Sequence, residues 1–110
     1  MPNKQVIVYQ TENGKEPFND WLDSLKDAKT VARIISRLGR VELGNYGDAK
    51  GVGEGVRELR YTFGAGYRVY FAEVDNVIVL LLCGGDKSNQ KRDIKAAQGY
   101  WQDYQQRRKL

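Results

Sequence analysis

Residues 55–88 read GVRELRYTFGAGYRVYFAEVDNVIVLLLCGGDKS, and the fold follows from how this stretch alternates. Its pattern predicts three strands: Val56 to Tyr61, Tyr67 to Val74, and Asn76 to Cys83. Phe63-Gly64-Ala65-Gly66 is expected to turn the chain between the first two, and Asp75-Asn76 between the second two. A hairpin closed symmetrically about Gly64 sets Arg60 opposite Arg68 and Leu59 opposite Val69. Leu59, Tyr61, Val69 and Phe71 then share one face, which should be core. Glu58, Arg60, Arg68 and Tyr70 share the other. The third strand is apolar on both faces, which predicts a central place in the sheet. Gly84-Gly85-Asp86 is expected to end it.

Working outward, Gln5 to Gln10 is rich in β-branched residues and predicts a first strand, followed by a turn over Thr11 to Lys15. A helix should begin near Pro17, whose missing N–H is harmless in a first turn. Phe18, Trp21, Leu22 and Leu25 give it one apolar face. A second helix is predicted from Lys29 to Leu43, burying Val31, Ile34, Ile35, Leu38 and Val41. Arg33, Arg37 and Arg40 recur at steps of four and three on its other side. They form a basic ridge, either a solvated helix face or a phosphate-steering surface. Gly44 to Gly55 holds five glycines in twelve residues, with Lys50 among them. It lacks the spacing of a P-loop and reads as a mobile surface connection. Ser88 is the expected N-cap of a last helix whose Ile94, Ala97, Trp101 and Tyr104 face inward. The basic tail from Gln105 to Leu110 should fray. The order is strand, two helices, three strands and a helix, an α+β chain with one domain over residues 1–110.

Composition narrows the chemistry. The chain has 110 residues, 41% hydrophobic and 11% aromatic, enough for one core but not for two. Its apolar run from Val77 to Cys83 is too short to span a bilayer, and the N-terminus has no secretory pattern. A cytoplasmic protein without membrane partners is the expectation. The single cysteine, Cys83, lies in that run and reads as a buried, inert thiol. There is no histidine, which removes the Cys–His and Ser–His pairs of nucleophilic catalysis and leaves a zinc site only one soft ligand. Eighteen basic residues against 14 acidic ones, a net charge of +4, favour an anionic partner.

The polar face of the hairpin suggests what that partner is. Two arginines placed directly opposite repel unless an anion or a carboxylate lies between them. Glu58 can supply the carboxylate, giving a surface ion-pair cluster of small energetic weight. A phosphate can also fill the place. Lys87 follows the central strand, where a groove would open, and brings an ammonium to the same patch. Such a set suits metal-free RNA cleavage. Glu58 would take the 2′-hydroxyl proton, Arg68 would bind two phosphoryl oxygens, and Lys87 would supply the leaving 5′-oxygen with a proton or a cation. The products would be a 2′,3′-cyclic phosphate and a 5′-hydroxyl. No cofactor is implied, because Arg and Lys provide the positive charge. Candidate RNA contacts are Arg57, Arg60, Lys50 and Lys91, with Tyr67 or Tyr70 stacking on a splayed base.

The run Gly55-Val-Arg-Glu-Leu-Arg60, then Gly66-Tyr-Arg-Val-Tyr-Phe71, an apolar strand, and Gly84-Gly-Asp-Lys-Ser88 resembles the RelE/ParE superfamily of toxins, most closely its HigB-like addiction module killer protein branch. The resemblance spans nearly the whole chain. It implies a RelE-like fold, a small and mostly antiparallel sheet with the two N-terminal helices on one face and a C-terminal helix. It also implies a type II toxin that cleaves messenger RNA in the ribosomal A site and inhibits translation. A cognate antitoxin, expected to carry a helix-turn-helix domain, would silence it, and operator DNA would be bound only through that antitoxin. By this resemblance Arg68 matches the phosphate-binding arginine, Lys87 the basic residue after the last strand, Glu58 the position where YoeB-like members use a glutamate base, and Arg60 a basic position on the same strand. The terminal-helix tyrosine of RelE is replaced by Ile94, and the YoeB-like histidine is absent, so the general acid is unassigned. Two alternatives stay open: a ParE-like, non-enzymatic toxin acting on DNA gyrase, and an RNA- or partner-binding module with a decayed site.

Overall fold

Residues 3–109 are described in a computed structural model. Five strands make one mixed sheet in the order β1-β5-β4-β3-β2. These are β1 Gln5–Val8, β2 Ala49–Gly53, β3 Val56–Arg60, β4 Tyr67–Val74 and β5 Ile78–Asp86. Only the β1–β5 pairing is parallel; the other three are antiparallel. Helices α1 (Pro17–Ser24) and α2 (Ala28–Glu42) cover one face, and α3 (Gln90–Arg108) covers the other. No helix among the described residues is long and apolar enough to cross a membrane.

Local chemistry sets these elements. Pro17 stands in the first turn of α1. Asp27 caps α2 by accepting from the Lys29 N–H. The end of α2 is a Schellman turn, in which Asn45 N–H donates to Arg40 O and Gly44 N–H to Val41 O, with Gly44 at φ +84°. Asp75 and Asn76, both at positive φ, are the central pair of a turn closed by Val77 N–H donating to Val74 O, so β5 starts at Ile78 and not at Asn76.

Hairpin register follows the alternation: Arg60 stands opposite Arg68, and Leu59 opposite Val69. Leu59, Tyr61, Val69 and Phe71 are buried with Phe18, Ile34, Leu38 and Val41 beneath α1 and α2. On the other face Val56, Tyr70, Ala72, Leu80 and Leu82 pack with Ala97 and Trp101 of α3. Strand β5 is central, between β1 and β4.

Several expectations are corrected. The glycine-rich stretch is not a mobile connection throughout, because Ala49–Gly53 pairs along β3 as an edge strand. Strand β5 does not stop at Cys83 but runs to Asp86, which pairs with Tyr67. Leu82 is an extra residue opposite the Tyr70–Phe71 step of β4, and this bulge changes the phase of the strand. Leu82 and Cys83 therefore both face α3. Gly84 is then turned toward Trp21 and Gly85 toward Asp93. Ser88 is not the cap of α3. Asp86 is the capping residue here, accepting from Ser88 N–H at the head of a short 3₁₀ turn, Lys87–Asn89, that leads into the helix. Ile35 is 50% exposed, outside the stripe formed by Ile34, Leu38 and Val41. Gln105 to Arg108 do not fray but stay helical, held where Arg107 reaches Asp103 and Gln10 O and Arg108 reaches Asp75. Leu110 lies outside the described residues.

Candidate functional site

The polar side of the hairpin is roofed by the first turn of α3. Glu58 is fully buried there, and its Oε2 accepts from Gln90 Nε2 at 2.7 Å. Its Oε1 lies 3.8 Å from Arg68 Nε, with 13% of the Arg68 side chain exposed. Arg68 Nη1 donates to the carbonyls of Gly66 at 2.9 Å and Tyr67 at 3.1 Å, so the guanidinium is clamped to the end of the hairpin loop. Among the described residues no hydrogen-bond partner reaches Glu58 Oε1, Arg68 Nε or the Tyr70 hydroxyl, all of which are buried.

Two neighbours complete this layer. Tyr70 stands opposite Glu58 in the ladder, and burial together with the nearby Glu58 and Asp93 charges pushes its hydroxyl well above the usual tyrosine range. Asp93 lies against Gly85, so close that a β-carbon there would meet its Oδ2 at 2.0 Å. Burial raises its carboxyl above the usual aspartate range, against the pull of Arg92. Cys83 is buried as expected, and burial pushes its thiol up to about 12.

Lys87 is exposed, and its methylenes lie over Gly66, with Cδ 3.1 Å from where a β-carbon would stand. Arg68 and Lys87 thus meet at Gly66, one binding its carbonyl and the other covering its α-carbon. Gly66 has φ +73°, a conformation that favours glycine, and its missing side chain leaves room for the Lys87 stem.

The remaining candidates divide. Arg60 does not repel Arg68, because its Nη2 and Nε reach Asp48 Oδ1 at 3.1 and 3.2 Å. Lys50 stands on edge strand β2 in register with Glu58 and is exposed. Lys91 is exposed on the first turn of α3. Arg57 lies apart from them, on the α1–α2 side, paired with Glu73 at 3.0 Å and lying over the Tyr46 ring. Tyr67 is partly buried, its ring edge-on to Trp21 at 6.3 Å between centroids. Tyr70 has no exposure and so no ring face free for a base. Ile94 packs against the α3-side core.

Gln90, Asp93 and Asp48 were not singled out in the sequence, although each partners or flanks a residue that was. A signal existed for the first two: Gln90, Asp93 and Ala97 lie at steps of three and four on α3, which extends its inward face by one polar turn.

No protein-family model matches the chain. An uncharacterized protein of Haemophilus influenzae is 50% identical to it over 80 residues, which make up 73% of this chain and 81% of that protein. With half of its residues shared over that span, the chain belongs to the family of this Haemophilus protein.

Proposed function

We propose that the chain is the toxin of a type II toxin–antitoxin module, a metal-independent endoribonuclease that cuts messenger RNA held in the ribosome and so stops translation. The observation that carries this reading is the convergence of Arg68 and Lys87 on Gly66, beside the buried Glu58 carboxylate.

In this reading Lys87 is the exposed cation and Arg68 the oriented one. Arg68 Nε faces Glu58, and Nη1 faces the hairpin carbonyls, which fixes the plane of the guanidinium before a phosphate arrives. A preset plane of donors stabilises phosphoryl charge without reorganisation during the reaction. Glu58 has two parts to play. With Gln90 on Oε2 and no solvent exposure, it acts as the positioning group for Arg68. To accept the 2′-hydroxyl proton it must first be released by Gln90, a small rearrangement at the start of α3. The 2′-oxygen then bonds to phosphorus, the bond to the 5′-oxygen breaks, and Lys87 donates the proton that the leaving oxygen takes. The ends are a 2′,3′-cyclic phosphate and a 5′-hydroxyl.

A cognate antitoxin with a helix-turn-helix domain would silence this activity, most simply by covering the basic patch. The test is cleavage of a messenger on purified ribosomes. The wild type is expected to leave 5′-hydroxyl ends within codons in the ribosomal A site. Lys87→Ala, an exposed change, should slow cleavage at least about 100-fold, the usual scale for loss of a positioned acid. Uncut messenger with the wild type, together with inhibited gyrase, would replace this reading with the non-enzymatic one.

A further inference from the structure

The opposite side of the same hairpin carries a second basic surface that the cleavage chemistry leaves unused. Helix α2 and the β3–β4 hairpin enclose a groove of about 480 Å³, lined by Arg33, Arg37, Arg40, Arg60, Asp48 and Phe63 among others. Four arginines and one aspartate give it a net charge of +3.

The arginines divide by what holds them. Arg37 is a strut: it donates to the carbonyls of Arg60, Tyr46 and Asp48 and lies over the Tyr61 ring, 4.7 Å from its centroid. Arg60 takes the one acid, Asp48. Arg33 lies over Phe63, its Cζ 3.8 Å from the ring centroid. Among the described residues neither Arg33 nor Arg40 has a carboxylate within ion-pairing distance. Both are exposed. A guanidinium laid on an aromatic ring keeps its N–H edge free, and that edge matches two oxygens of a phosphate.

We infer that this groove binds the phosphodiester backbone of single-stranded RNA, as an extension of the Arg68–Lys87 patch around the tip of the hairpin. The inference rests on the ribonuclease reading for its direction. Phe63 lines the groove, and Gly66, three residues on, carries Lys87. The two basic surfaces are therefore at either side of one short loop. A ligand serving both must be a continuous polyanion, and a strand with one charge per nucleotide meets that need. Arg33 and Arg40 are seven residues apart, roughly 10 Å along the helix, enough for two separate phosphates.

The test uses a 2′-O-methyl RNA oligonucleotide, which the proposed chemistry cannot cut, and follows binding by fluorescence anisotropy across a salt series. Each phosphate contact on a single strand contributes about 0.7 to the slope of log affinity against log salt. Arg33→Gln/Arg40→Gln should therefore lower the slope by about 1.4, Lys87→Ala by about 0.7, and Arg33→Lys/Arg40→Lys by little. A slope unchanged in the glutamine variant overturns the inference, even if the wild type cleaves messenger on ribosomes. A lowered slope with no cleavage by the wild type keeps the groove and removes the ribonuclease. A polyglutamate peptide that binds through Arg33 and Arg40, while the RNA slope stays unchanged, assigns the groove to an acidic protein segment instead.

Discussion

Arg68 and Glu58 depend on each other, and each is costly to remove alone. Truncating Arg68 to alanine leaves a fully buried carboxylate held by one hydrogen bond from Gln90. Breaking a buried pair in this way costs about 3–5 kcal/mol. Arg68→Ala is therefore expected to lose stability on that scale, and Glu58→Gln/Arg68→Met distinctly less than the sum of its two single changes. Urea unfolding of the four proteins in the cycle measures the coupling, and strict additivity would show that the pair is not coupled. Gly85 and Gly84 are the other sensitive residues. A β-carbon at Gly85 would meet Asp93 at 2.0 Å, and one at Gly84 would meet the Trp21 ring at 2.1 Å. Gly84→Ala should cost more than about 2 kcal/mol, with part recovered by Trp21→Ala; unfolding midpoints decide this. The register of Arg60 and Arg68 was legible because strand alternation is local. The roof over Glu58 was not, since Gln90 reaches it from 32 residues away.

Among the elements, those with strong periodicity could be read directly and those that depend on neighbours could not. Helices α1 and α2 carry their apolar faces in their own sequence. Strand β2 does not: it contains Lys50, Gly51 and Gly53, all exposed, and forms because β3 offers it a ladder. Its turn onto β3 runs through Glu54 and Gly55, both at positive φ, and Gly55 sits under Trp101 with only 2.8 Å left for a β-carbon. The C-terminal end of α3 is similar. Its last residues look like a loose basic tail, but Tyr9 donates to Asp103 at 2.5 Å, Arg107 pairs with Asp103, and Arg107 also binds Gln10 O. Amide exchange at Gln105 and Gln106 should accordingly be slower than in a frayed segment, and Asp103→Ala should speed it. Exchange at unprotected rates in the wild type would show that these contacts do not hold the helix. The Leu82 bulge had no signature in the apolar run, yet it decides which face each of the two glycines after it presents.

For the whole molecule, the sheet separates two tasks. Each of its sides packs an apolar core of its own, and the α3 side also carries the buried polar layer with the cations at one end. Acid should loosen this arrangement through Glu73. Burial raises the Glu73 carboxyl, but hydrogen bonds from Tyr46, Lys4 and Arg57 outweigh it and hold the group below the usual glutamate range. Those bonds tie Lys4, just before β1, the loop after α2 and β3 to one carboxylate. A lowered carboxylate contributes fully above its unfolded value and loses that contribution as pH falls through its folded one. Stability should therefore drop as pH falls below the ordinary glutamate range, and Glu73→Gln should cost about 1–2 kcal/mol at neutral pH while flattening that acid limb. Asp93 acts in the opposite sense: raised by burial, it favours the fold at low pH and loses this as pH rises through its folded value. Urea titrations from pH 3 to 7 separate the two through Glu73→Gln and Asp93→Asn.

The ribonuclease centre we propose consists of Arg68 and Lys87 at the open end of the hairpin. It is tested most directly by inducing the protein in bacteria and mapping the 5′ ends of cellular transcripts, for the wild type and for Lys87→Ala. New 5′-hydroxyl ends inside translated codons are expected with the wild type and should be lost in the variant, which should remain folded. Growth arrest with intact messages, or identical ends from both proteins, would contradict it.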